Sequence, residues 1–235
     1  MRYLLAVETS VVDGGIAVFD SDRMLAMERF DREIPASARL IPAIELLLSQ
    51  LQLSLEQLDG FAVSIGPGSF TGLRVGLTAV KTLARFLDRP VIPVPTLMAL
   101  AVSAGEQDDP VGAILDARKG EVFGAYFRVG ADTSRITPDR VLPIETFIEN
   151  RPSERICLVG NGIREYRERI DATGVLHSTV PEMHWEPSPE WVGRLAVRLT
   201  GETVTGNDLF KLAPVYIRRS EAEIHWDRRT KSDSA

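Results

Sequence analysis

Two stretches of the chain follow one plan. "LLAVETSVVDGGIAVF" at 4–19 and "GAILDARKGEVFGAYF" at 112–127 each read as an apolar strand, an acid, a turn and a returning strand. Each is followed further on by an apolar strand closing on Gly-x-Gly, "VSIGPG" at 63–68 and "LVGNG" at 158–162. A plan used twice, in order, is an internal duplication. A hairpin followed by strands alternating with helical stretches builds a mixed sheet covered by helices. The expected fold is therefore two similar α/β units, and 235 residues, 44% hydrophobic, suffice for two such cores. The polar run "GEQDDPVG" marks the joint, which sets the units at 1–107 and 108–225. The tail at 226–235 ends in "DRRTKSDSA", has too little apolar surface to pack, and is expected to be disordered.

In the first unit the patterns give strands over 2–8, 16–20 and 23–30, a helix over 39–52 and a buried strand "LDGFAVSIG". A helix over 72–87, a strand "PVIPVP" and a helix through "TLMALAVSAG" complete it. In the second, the hairpin leads to "RVLPIETFIEN", the strand "RICLVGNG" and a helix in "IREYRERI". A late helix in "SPEWVGRLAVRLTGE" is capped by Ser188, with Pro189 at its first position.

The stretch "SIGPGSFTGLRVG" at 64–76 sets Gly66, Gly68, Gly72 and Gly76 between a strand and a helix. It is not a Walker A loop, because Leu73 stands where lysine is required. It is not a dinucleotide loop either, because Thr71 takes the third glycine's place. Two uses stay open. The free N–H groups of the helix start can hold an anion, with Arg74 nearby and no acid in the first turn. Alternatively, the glycines let helix and strand approach closely.

The helices on either side are too apolar for a single buried stripe. In 72–87, Leu73, Gly76, Leu77, Val80, Leu83, Ala84 and Leu87 form one arc. Val75, Ala79 and Phe86 widen it to about 200°, where a surface helix needs only ~100°. In 39–52, Leu40, Ile41, Ile44, Leu47, Leu48 and Leu51 share a face that Ala43 and Leu46 widen. The excess is either sandwiched inside the fold or turned to a partner.

Several chemistries are excluded. A net charge of −6 and a pI near 5.2 argue against a large nucleic-acid surface, leaving at most a basic edge at Arg164, Arg167 and Arg169. Cys157, the single cysteine, forms no internal disulfide and reads as a buried strand thiol. No run is long enough for a signal or a membrane helix, so a cytoplasmic setting is expected. His177, His184 and His225 have no metal-like spacing, and neither H-E-x-x-H nor G-x-S-x-G occurs. Glu8 and Asp116 end the two opening strands, where an actin-like fold would hold Mg²⁺–nucleotide. Glu8 and Ser10 on one side, with Asp116 and Arg118 on the other, are the candidate residues of a vestigial nucleotide site. The turn "TSVVDGG" lacks the expected glycine, and "ARKG" supplies two cations in place of a glycine-rich loop. Both acids can instead serve only to cap turns.

"LAVETS", "GPGSFTGLRVGLTAVKTLA", "PVIPVPTLMALA", "LDARKGEVF" and "APVYIRR", in this order over most of the chain, resemble the bacterial TsaB (YeaZ) family. The resemblance implies a duplicated actin-like (ASKHA) fold, two similar α/β domains with mixed sheets. It implies a non-catalytic subunit required with TsaD and TsaE to transfer a threonylcarbamoyl group to N6 of adenosine 37, in tRNAs reading codons that begin with A. TsaD is then the direct heterodimer partner, TsaE a further component, and tRNA is reached only through the complex. No cofactor, metal or membrane is implied.

The catalytic paralogue TsaD carries a His-Leu-Glu-Ala-His metal pair after the same glycine block. Here that stretch reads "TLMAL", and Thr96 and Leu100 cannot grip a metal. By the same resemblance, the two wide helices meet TsaD in a four-helix contact. The expected contacts are Leu40, Ala43, Ile44, Leu46 and Leu47 from one helix, and Arg74, Val75, Leu77, Ala79 and Phe86 from the other. A homodimer of the isolated chain would bury the same face. One departure is "IPASARLIP", where the family often has a histidine-bearing stretch. The competing readings are a stand-alone actin-like ATP-dependent phosphotransferase or ATPase, and a metalloprotease, which the absent ligands disfavour.

Overall fold

The computed structural model describes residues 1–199 and 201–218. The first sheet contains β1 (Tyr3–Glu8), β2 (Gly15–Asp20), β3 (Arg23–Arg29), β4 (Gly60–Gly66) and β5 (Val91–Pro95). Helices α1 (Ala36–Gln50) and α2 (Phe70–Leu87) lie between these strands in sequence, and α3 (Thr96–Val102) follows them. The second sheet contains β6 (Val111–Asp116), β7 (Glu121–Arg128), β8 (Ser134–Arg135), β9 (Arg140–Pro143), β10 (Arg155–Val159) and β11 (Leu176–Thr179). Its helices are α4 (Ile144–Glu149) and α5 (Gly162–Ala172), and α6 (Pro189–Arg198) comes last.

The first sheet has the order β3-β2-β1-β4-β5, antiparallel from β1 through β3 and parallel from β1 through β5. The second repeats it. β6 pairs antiparallel with β7, β10 lies parallel to β6, and β11 lies parallel to β10. The outer edge of β7 is shared by the short strands β8 and β9. The same order and directions, used twice, give the two similar α/β units that the repeated plan predicts and the duplicated actin-like fold that the resemblance implies.

Strand β1 shows why these strands read as unbroken apolar runs. Leu5 and Val7 point into a core with α1 and α2. Leu4 and Ala6 point the other way, into a core with α3 and α6. A third core joins the second sheet to Leu97, Leu100 and Ala101 of α3. Thus α3 belongs to both halves. Packing also departs from chain order at α6, which lies in sequence beyond residue 108 yet covers β1 and β2 of the first sheet. At Gly193 its backbone comes so near that an added Cβ would lie 2.0 Å from the Phe19 ring.

Two helix starts differ from the sequence expectation. Helix α1 begins at Ala36, not 39, and runs through Pro42. That proline costs the N–H that would reach the Ala38 carbonyl, a loss water offsets on this exposed face. Helix α2 begins at Phe70, not 72, because Ser69 caps it, its Oγ accepting from Gly72 N at 3.2 Å. Strand β11 has no apolar alternation to announce it and is mostly exposed. The expected disordered tail at 226–235 and His225 lie outside the described residues.

Candidate docking face and the cleft between the halves

The glycine stretch is used for close approach. A Cβ at Gly68 would lie 2.6 Å from Ser10 O, one at Gly72 1.9 Å from Thr9 O, and one at Gly76 2.1 Å from Thr9 Oγ1. Three glycines along α2 and its lead-in thus press against the end of β1 and the turn that follows it. The N–H groups at the start of α2 are partly spent inside the fold, Gly72 N on Ser69 Oγ and Leu73 N on Ser69 O.

This contact forms one wall of a cleft of about 510 Å³ between the halves. Ser10, Val11, Val12 and Asp13, with Gly68, Ser69 and Phe70, line the first wall. Leu115–Arg118, Phe123 and Asn161 line the second. The structure brings Ser10, Asp116 and Arg118 together here, as expected, but not Glu8. Glu8 is fully buried, and its Oε1 accepts from Ser10 N at 2.5 Å and Ser64 Oγ at 3.0 Å. Burial pushes its carboxyl above the usual carboxylate range, despite those hydrogen bonds. A carboxyl sealed from the cleft is no ligand for a metal–phosphate group, which corrects the placement of Glu8 in a nucleotide site. Asp116 is occupied as well. Its Oδ1 accepts from Tyr166 OH at 2.6 Å and Arg118 N at 2.7 Å. Burial of the Tyr166 ring and that bond to Asp116 push the phenol up to about 12. Arg118, Lys119 and Gly120 all have positive φ, a hairpin turn spanning β6 to β7 in place of a phosphate loop.

The metal-pair positions are core positions. Thr96 is fully buried and its Oγ1 accepts from Gly66 N at 3.1 Å, while Leu100 packs in the third core, against the second sheet. Among the described residues, no group of three or more His, Cys, Asp or Glu is arranged to hold a metal ion. His177 lies against Val175 O and Asp171, and His184 meets Trp191 edge-on. Cys157 is buried in β10, where burial raises its thiol pKa. The basic edge is largely neutralised: Arg164 pairs with Glu182 and Glu186, and Arg169 with Glu145. No helix among the described residues is long and apolar enough to cross a membrane.

The wide helices divide into core and surface. Ala43, Ile44, Leu47 and Leu77 are buried against the first sheet, which corrects their placement on a docking surface, whereas Leu40, though buried, reaches the floor of the seam between the helices. A helical wheel shows that an apolar arc is too wide but not which part faces the sheet. Leu46 is exposed, but it lies about 140° round α1 from Ile41, away from the α1–α2 seam. What remains is an apolar groove of about 500 Å³ between the helices. Leu40 and Ile41 line it from α1, with Arg74, Val75, Thr78, Ala79 and Thr82 from α2. Ile41 was absent from the contacts expected from sequence, although its place in the arc was visible. Phe86 stands 79% exposed beyond the groove on α2. Arg74 is tied within the chain, its Nε donating to Tyr216 OH at 2.9 Å.

A family model for TsaD, the tRNA N6-adenosine threonylcarbamoyltransferase, matches residues 36–182. The tRNA threonylcarbamoyladenosine biosynthesis protein TsaB of Bacillus subtilis is 29% identical over 227 residues, covering 95% of this chain and 97% of that protein. The Haemophilus influenzae protein of the same name is 37% identical over 180 residues, covering 70% and 74%. A crystal structure of a Pseudomonas aeruginosa protein described as similar to peptidase YEAZ superposes with a TM-score of 0.75 at 28% identity. It covers 93% of this chain and 100% of the other.

Proposed function

The chain belongs to the TsaB (YeaZ) family, and from that premise we propose that it is the non-catalytic subunit of a tRNA threonylcarbamoyladenosine-forming complex. In this reading it docks TsaD through the α1–α2 groove, TsaE joins the complex, and tRNA carrying adenosine 37 is met only there. The observation that carries the docking role is the groove itself, an apolar seam continued by the bare ring of Phe86. The non-catalytic role is supported by Thr96 and Leu100, side chains committed to the core where the paralogue's metal pair would stand. A stand-alone ATP-dependent enzyme fits less well, because the cleft offers neither a phosphate loop nor an accessible acid at Glu8.

Reconstitution tests this reading. TsaD from the same source, with TsaE, ATP and the threonylcarbamoyl donor, should modify tRNA only when this chain is added. The chain without TsaD should modify none. Modification by the chain alone, or full TsaD activity without it, would overturn the assignment.

A further inference from the structure

The segment after α6 stays on the first half and then crosses the cleft. Lys81 Nζ donates to Leu212 O at 2.8 Å, and Val215 N donates to Ile65 O at 2.7 Å. The Tyr216 ring stacks on Phe70, with centroids 3.9 Å apart and planes 15° apart. Its hydroxyl accepts from Arg74 Nε, and the same guanidinium lies over the Phe70 ring at 4.4 Å. Two residues later the chain is on the other half. The Arg218 guanidinium donates to the Ala117 carbonyl and the Glu121 carboxylate, and lies over the Phe123 ring. Phe70 lines the first wall of the cleft, and Ala117 and Phe123 line the second.

We infer that Leu212–Arg218 is a tie that fixes the separation of the two cleft walls. The halves already share α3, which sits in a core of each. A second attachment at the walls means that the cleft cannot widen about α3 without unstacking Tyr216 or releasing Arg218. Only Ile217 separates these anchors, too short a span to absorb a large displacement. The cleft is thereby held at one width by side chains of the chain itself, independently of any partner.

The test is a distance distribution by pulsed electron resonance between spin labels at Ser49→Cys and Glu168→Cys, exposed positions on either half. Cys157 is buried and stays unlabelled. The full chain should give one narrow distance. Tyr216→Ala with Arg218→Ala should broaden it and add longer distances. Amide exchange at 10–13 and 116–120 should speed up about tenfold, while α1 and β4 keep their protection. Tyr216→Phe keeps the stack and should stay close to the full chain. A narrow, unshifted distance in the double variant would overturn the inference, even if exchange near Phe70 rises, because the segment would then be only local packing. General loss of protection in the double variant would overturn it too, since the segment would be part of the core. A chain ending after Leu212, provided it folds, should match the double variant.

Discussion

At the scale of single residues, the glycines after β4 and the sealed Glu8 sit in close packing, and this can be tested by substitution. Gly76→Ala sets a methyl 2.1 Å from Thr9 Oγ1 and should cost on the order of 1–3 kcal/mol in urea unfolding. Thr9→Ala removes the obstruction along with a buried hydroxyl that has no partner, so the double variant should recover most of the loss. Gly72→Ala collides with the Thr9 carbonyl oxygen, and Thr9→Ala should not rescue it. Equal rescue at both positions would contradict the assignment. Glu8 gives a pH prediction. Its folded pKa is raised by burial, so the folded state holds a proton that the unfolded state releases. Its contribution to stability is present below the unfolded value of about 4.5 and is lost as pH rises through the folded pKa. Thermal melts of Glu8→Gln should therefore gain on the native chain as pH rises from about 4 to about 8. A constant difference across that range would show that Glu8 titrates normally. The sequence left close approach and anion binding both open at "GPGSFTG", because it gives the glycines but not the backbone that presses on them.

At the scale of elements, α1 and α2 carry the docking proposal. Ala79→Glu puts a carboxylate in the groove wall and should weaken TsaD binding about a hundredfold or more. Ala79 is half-buried against the core, so the cleaner variant is Thr78→Glu, an exposed position on the same wall. It should leave the melting temperature nearly unchanged and still break the complex on co-purification. Phe86→Ala removes a ring with nothing to pack on in the isolated chain, and should cost affinity without costing stability. Normal TsaD retention by Thr78→Glu and Phe86→Ala together would place the partner elsewhere. The excess of apolar positions on these helices was legible, since Val75, Ala79 and Phe86 stand outside the main arc. Its direction was not, because periodicity is blind to which neighbour an arc meets. Ala43, Ile44, Leu47 and Leu77 therefore fell on the wrong side, and Ile41 was passed over.

At the scale of the whole molecule, the duplication carried most of the fold. Two hairpins with an acid at the turn and two strands closing on Gly-x-Gly were enough to predict two α/β units with mixed sheets, and the structure gives both sheets one strand order. What the repeat could not show is where the chain departs from it. Helix α6 returns to the first sheet, and the segment through Tyr216 and Arg218 ties the halves, both through contacts between residues far apart in sequence. The sealed Glu8, the core side chains at Thr96 and Leu100, and the bare α1–α2 groove are the observations on which the proposed docking role rests. The most direct measurement is a titration of this chain into TsaD from the same source, followed by calorimetry and light scattering. The account predicts saturable binding to a TsaD-containing complex of defined stoichiometry, abolished by Thr78→Glu in a chain that still melts normally. Two proteins that stay separate at tens of micromolar, or a complex indifferent to that substitution, would contradict it.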